Sequence, residues 1–349
     1  MFINILDIIL LEFDLECSMI IQDILSVSLN SIGYLCVANG FTFLAQENGL
    51  TEMTIRSYSP SKVDSNPFPG HVVTRIKGAS TLNNNGLSWG VTAVAGTTYY
   101  TLLSDGLNYN LYGIDLTNDQ LIINGYSPES TEMYVQCLVY DSNSEKLIGI
   151  SPNSIVPSWF DVVELDQTTG AVKHKLETGK FSDDSEYSGV YAFDQTTSQL
   201  FIVFKQFDNS TQTTKEGIIP ISTKDGKVSD AIWFTGFNVQ DTNLFNLAYD
   251  PTSNALYGTT ASYIGTERSF VRIDPSNGEI TSINNKTEVC GGNGVIIQDG
   301  YFISPGHDNV SSNTIYYVSL TTGEIVKKHV NAELFTLISF LTVSDSSSY

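Results

Sequence analysis

LAYDPTSNALYGTT (residues 247–260) is followed, nine residues on, by FVRIDPSNGEITSI (residues 270–283). Each stretch is an apolar run, a polar turn opening on Asp, and a second apolar run, which is the pattern of a β-hairpin. The second turn ends in Gly278, at a place where a positive φ is needed and only glycine supplies it without a Cβ penalty.

Both stretches have copies. CLVYDSNSEKLIGIS (137–151) and VYAFDQTTSQLFIVF (190–204) repeat the first, so that Asp141, Asp194 and Asp250 recur at intervals of 53 and 56 residues. VVELDQTTGAV around Asp166, IIPISTKDGKV around Gly226 and YYVSLTTGEIV around Gly323 repeat the second. Two hairpins every 45 to 56 residues make a four-stranded antiparallel unit with the period of a propeller blade.

Weaker copies are YLCVANGFTFLA (34–45), VTAVAGTTYYTLL (91–103) and VIIQDGYFISP (295–305) as first hairpins, and LYGIDLTNDQLII (111–123) as a second. The fold expected is therefore an all-β, six-bladed β-propeller of four-stranded antiparallel sheets, with seven blades as the alternative. Residues 34–343 form its single domain, 1–33 an N-terminal extension that is either a short helix or frayed, and 344–349 a disordered tail. The apolar stretch FTLISFLTV (335–343) has no hairpin partner of its own and is expected to pair with the N-terminal blade, since an open ring would leave long sheet edges bare. Asp141, Asp166, Asp194, Asp250 and Asp274 are read as turn residues whose carboxylates accept backbone N–H groups.

Composition narrows the function. With 38 acidic against 17 basic side chains the net charge is −21, which repels phosphate backbones and anionic lipid, so neither nucleic acid nor a membrane surface is an expected partner. The N-terminal run MFINILDIILLEFDLECSMI lacks a basic start and carries four acidic residues, unlike a signal peptide. Richness in Asn, Ser and Thr leans towards an extracellular or secretory setting, although the sequons at Asn209, Asn285 and Asn309 do not exceed chance. Cys17, Cys36, Cys137 and Cys290 lie far apart and form neither a zinc motif nor a dithiol pair, so buried free thiols are expected, with one or two long-range bridges in an oxidising compartment as the alternative.

The cadence of D-P-x-x-N/T-G turns resembles the broad propeller superfamily that includes YVTN-, NHL- and gluconolactonase-like proteins, over residues 34–343. DQTTGAVKHK (166–175) and DPSNGEITSI (274–283) keep the Asp and Gly of quinoprotein repeats but lack their Trp. The gluconolactonase-like resemblance implies a calcium ion at the channel mouth, held by Glu, Asp and Asn oxygens. Glu186, Asn243, Asn246 and Asn293 precede or open first hairpins and are the candidate ligand-binding residues at that mouth. The segment CGGNG (290–294) presents bare backbone amides beside Asn293, and His307 next to Asp308 is the one acid–base candidate. No nucleophile elbow, P-loop or dinucleotide fingerprint occurs. The expected function is a non-enzymatic module binding a protein or a glycan through its loops. The alternatives are a calcium-dependent lactonase-like hydrolase and an extracellular scaffold; no cofactor is expected for the first reading and calcium for the second.

Overall fold

In the run QLFIVF (199–204) consecutive side chains alternate between two apolar interfaces, Leu200, Ile202 and Phe204 on one and Phe201 and Val203 on the other. A strand buried on both faces must lie within a sheet sandwiched between two others. A computed structural model of the chain describes residues 42–48, 52–58, 71–77, 91–104, 109–126, 135–153, 158–181, 185–208, 210, 213–236, 242–262, 268–289, 295–308, 312–331 and 337–341.

The chain runs through its sheets in order. β1 (Thr42–Asn48), β2 (Glu52–Tyr58) and β3 (His71–Lys77) form three strands of the first sheet. β4 (Thr92–Ala95), β5 (Thr98–Ser104), β6 (Tyr109–Asp115) and β7 (Gln120–Tyr126) form the second. β8 (Cys137–Asp141), β9 (Lys146–Pro152), β10 (Trp159–Leu165) and β11 (Val172–Lys180) follow as the third. β12 (Ser185–Asp194), β13 (Gln199–Asp208), β14 (Thr213–Ser222) and the two-residue β15 (Ile232–Trp233) form the fourth. The next sheet holds β16 (Thr235–Gly236), β17 (Thr242–Asp250), β18 (Ala255–Ser262), β19 (Arg268–Ile273) and β20 (Glu279–Asn284). β21 (Ile296–Gln298), β22 (Tyr301–Asp308), β23 (Ser312–Ser319) and β24 (Ile325–Asn331) make the last full meander. β25 (Leu337–Leu341) then returns to the first sheet.

Sheets follow one another face to face. Ile55, Val73 and Ile76 of the first pack with Tyr99, Leu103 and Ile114 of the second. Tyr100 and Leu111 meet Leu138 and Val163; Ile150 and Phe160 meet Phe204 and Ile219; Ile218 meets Leu256 and Val271; Phe270 meets Phe302 and Tyr316. The first strand of each unit touches the next along the series β4, β8, β12, β17 and β21, so these are the inner strands. This is a β-propeller, held by interfaces between blades.

β25 pairs antiparallel with β1, with Ala45 opposite Ile338, and so supplies an edge strand of the sheet β25-β1-β2-β3. The stretch 34–45 is therefore not a first hairpin in its described part, because β1 takes its partners from β2 and β25. Residues 1–41 and 342–349, and the expectations placed on them, lie outside the described residues.

The expectation of six or seven blades, all four-stranded, is corrected: among the described residues five sheets have four strands, and the sheet β16-β20-β19-β18-β17 has five. The chain leaving the fourth sheet keeps only two residues on it as β15 and then crosses to lie parallel to β20 as β16. Glycine permits this crossing. A Cβ on Gly278 (φ +75°) would sit 2.3 Å from the Trp233 carbonyl oxygen, and one on Gly236 (φ +91°) 2.6 Å from that of Ile280.

Candidate functional site

The two ends of the propeller are built differently. At one end lie the turns within hairpins, where Asp115, Asp141, Asp166, Asp194, Asp250 and Asp274 each accept the N–H of the residue two positions on, at 2.8–3.0 Å. The Asp residues expected as turn formers hold that role. Gly170, Gly226, Gly278 and Gly323 close the second hairpins at φ between +67° and +79°.

Asp141 does more than form a turn. It is fully buried, and its carboxylate accepts bonds from Ser144 Oγ (2.7 Å), Gln195 Nε2 (3.0 Å), Ser198 Oγ (3.1 Å) and Thr223 Oγ1 (2.8 Å). The last three belong to the next blade. These donors outweigh the burial of the carboxylate and hold its pKa below the ordinary value.

At the opposite end the inner strands begin and the connections between hairpins and between blades leave the sheets. Glu186 lies near the start of β12, and Asn243 and Asn246 near the start of β17, two inner strands in contact. Asn293 and the CGGNG segment lie outside the described residues. Glu186 is exposed and pairs with Lys205 at 3.3 Å. Asn246 is buried and its amide is committed: Oδ1 accepts from Thr259 N (2.9 Å) and Oγ1 (2.7 Å), while Nδ2 donates to Ser304 Oγ (3.0 Å) on the next blade. That amide staples two blades and has no lone pair left for a cation. Among the described residues no group of three or more His, Cys, Asp or Glu is placed to hold a metal ion.

Both inner strands are bulged here. β12 shifts register between Tyr187 and Tyr191, where Ser188 Oγ donates to the Val203 carbonyl, and β17 shifts between Leu244 and Asn246. A bulge re-aims the extra residue. In β17 that residue is Phe245, which stands 43% exposed between buried Leu244 and Asn246. Phe207 near the end of β13 and Trp159 at the start of β10 are 46% and 40% exposed at the same end, one on each of the two preceding blades. Lys180 lies over the Trp159 ring at 5.9 Å. Beneath them Phe160, Phe181, Phe204 and Trp233 form a ladder with centroid separations of 4.6, 6.0 and 4.7 Å, which stiffens the base of this surface.

Glu216 is the residue that the sequence reading missed. It sits on β14 opposite Lys205, which is itself opposite Glu186, so the three make a cross-strand row. Glu216 is buried, and its Oε2 accepts the N–H of Leu244 at the β17 bulge, 2.9 Å away on the next blade. Burial pushes its pKa up to about 7 against the opposing pull of the Leu244 N–H and the Lys205 charge. The available signal was a Glu beside the apolar run GIIPI of β14.

Other polar groups are quieter. Cys137 is a buried free thiol whose pKa burial drives up, which keeps it protonated and unreactive; the other three cysteines lie outside the described residues. His174 is exposed on β11. A cleft of about 480 Å³ between the outer strands β20 and β24 is lined by Lys286, Lys327 and Lys328 together with Glu288 and Glu324, so its charges nearly cancel.

No protein-family model and no curated protein matches this chain. Among solved structures it is similar to TolB from Acinetobacter baumannii, at 8% identity over 88% of this chain and 70% of that one, with a TM-score of 0.53. It is similar to hydrazine synthase of Kuenenia stuttgartiensis at 10% identity over 84% and 93%, with a TM-score of 0.50. The Dos1 propeller aligns at 10% identity over 82% and 68%, with a TM-score of 0.44. At such identities the likeness to the first two shows a shared fold and nothing of function.

Proposed function

We propose that this protein is a non-enzymatic binding module that presents the loop-bearing end of a propeller to a protein or glycan. The observation that carries the reading is the placement of Trp159, Phe207 and Phe245, exposed aromatic side chains at the same end of three consecutive blades. Aromatic faces of this kind stack on sugar rings and anchor protein interfaces. Glu186 and Asn243, near the starts of β12 and β17, are the polar groups assigned to this end in the proposal. An extracellular setting and the absence of nucleic-acid or membrane partners are part of this proposal, in keeping with the charge of −21. The calcium-dependent lactonase is less well supported, because Asn246 is occupied in joining blades. No specific observation favours the scaffold reading.

A glycan array and titration with the ligands it returns test the proposal. Phe245→Ala is expected to weaken binding by about thirtyfold, the effect of losing a central aromatic anchor, with the melting temperature little changed. Equal affinity in the single variants and in the triple variant of Trp159, Phe207 and Phe245 would remove the proposed surface.

A further inference from the structure

The interface between the fourth sheet and the five-stranded sheet is crossed by a buried ionisable group at the start of β17. Glu216 reaches from β14 to the Leu244 amide of β17, while its own backbone carbonyl accepts the N–H of Phe234 at 3.0 Å, in the segment that crosses between the same two sheets. Both blades are thus tied to this one residue. Among the described residues, the charged groups facing it are Lys205 on β13 and, beyond Lys205, Glu186 on β12; β17 and the crossing segment meet it with backbone N–H groups. Lys205 is divided between two carboxylates, so its charge is not given wholly to Glu216.

We propose that Glu216 is a proton-operated latch between these two blades. With the proton on, the neutral carboxyl stays buried against Leu244 and the β17 bulge that carries Phe245 stays seated. With the proton released to solvent, the carboxylate is drawn towards water and the bulge loosens.

Thermodynamic linkage gives the direction. A carboxyl with a pKa of about 7 when buried and about 4.5 when hydrated favours the closed state below both values. Between them the open state has lost its proton and the closed state has kept it, so opening becomes about tenfold easier for each pH unit gained. Above pH 7 both states are ionised and the dependence levels off. The latch bears on the proposed binding end, but its test needs no ligand, so the two readings fail separately.

The test is amide hydrogen exchange of the full chain from pH 5 to 8, each rate divided by that of an unstructured peptide at the same pH. Protection of Leu244 is expected to fall by about tenfold per pH unit up to pH 7 and then flatten. Glu216→Gln, which keeps an acceptor but cannot ionise, is expected to give a flat profile. Lys205→Met, which removes the opposing charge without touching the core, is expected to keep the fall and extend it to higher pH. A flat profile in the unsubstituted chain, an unaltered one in Lys205→Met, or the same fall at the distant Ile148 amide would overturn the latch.

Discussion

Asp141 and Thr223 lie 82 residues apart in sequence, yet the threonine hydroxyl donates to the carboxylate at 2.8 Å inside the interface of two blades. The same carboxylate begins a turn in its own blade, so one side chain both shapes a hairpin and fixes its neighbour. Asp166 makes the same kind of turn but stays near solvent, with Thr168 and Thr169 as its partners. Asp141→Ala is therefore expected to destabilise the protein by about 3 kcal/mol, since it strands buried donors, and Asp166→Ala by about 1 kcal/mol. Urea unfolding of the two variants checks the difference, and equal losses would mean that Asp141 is only a turn residue.

Acid should unfold the protein through these turns. Hydrogen bonds from neighbouring hydroxyl and N–H groups hold Asp115, Asp166, Asp225 and Asp274 below the ordinary carboxylate pKa, and the same donors do so for Asp141 and Asp194 against the effect of burial. A depressed folded-state pKa contributes stability that is present above the unfolded value, near 4, and is lost as pH falls through the folded one. Glu216 acts with the opposite sign, losing stability as pH rises from about 4.5 to about 7. Melting temperature is thus expected to peak near pH 4.5 to 5 and to fall steeply below pH 4. In Glu216→Gln the decline from pH 5 to 7 should shrink, while the acid limb stays.

Glycines at positive φ divide into two kinds. A Cβ on Gly96 (φ +58°) meets nothing within 4 Å, whereas one on Gly278 meets the Trp233 carbonyl at 2.3 Å. Gly96→Ala is expected to cost about 1 kcal/mol, from backbone strain alone. Gly278→Ala should cost several times more and weaken the crossing from β15 to β16. Thermal unfolding of the pair tests this, with similar losses counting against the close approach.

The hairpins were legible because their information is local. Asp194 and Gly278 mark turns whatever surrounds them, and QLFIVF announces a strand buried on both faces. The partner of each strand is different: β16 lies on β20 because two glycines let backbones touch, and no local pattern announces that. β1 likewise looked like the end of a hairpin, since its partner β25 lies at the far end of the chain. At the candidate site, the position of Glu186 and Asn243 near the starts of inner strands followed from repeat phase alone. Asn246 looked like a ligand because sequence cannot show that Thr259 and Ser304 already occupy its amide. Glu216 went unread because its raised pKa arises from burial and from an N–H on another blade.

Ring closure is tested by a disulfide between strands from the two ends of the chain. Ala45 and Ile338 are paired in the β1–β25 register, and paired antiparallel residues have Cα atoms about 4.5–5.5 Å apart, within disulfide reach. In a chain whose four cysteines are replaced, Ala45→Cys with Ile338→Cys is expected to oxidise quantitatively within one molecule and to raise the melting temperature. The offset pair Ala45→Cys with Phe340→Cys should oxidise poorly. Free thiols in the matched pair, or equal oxidation in both, would contradict a ring closed by β25.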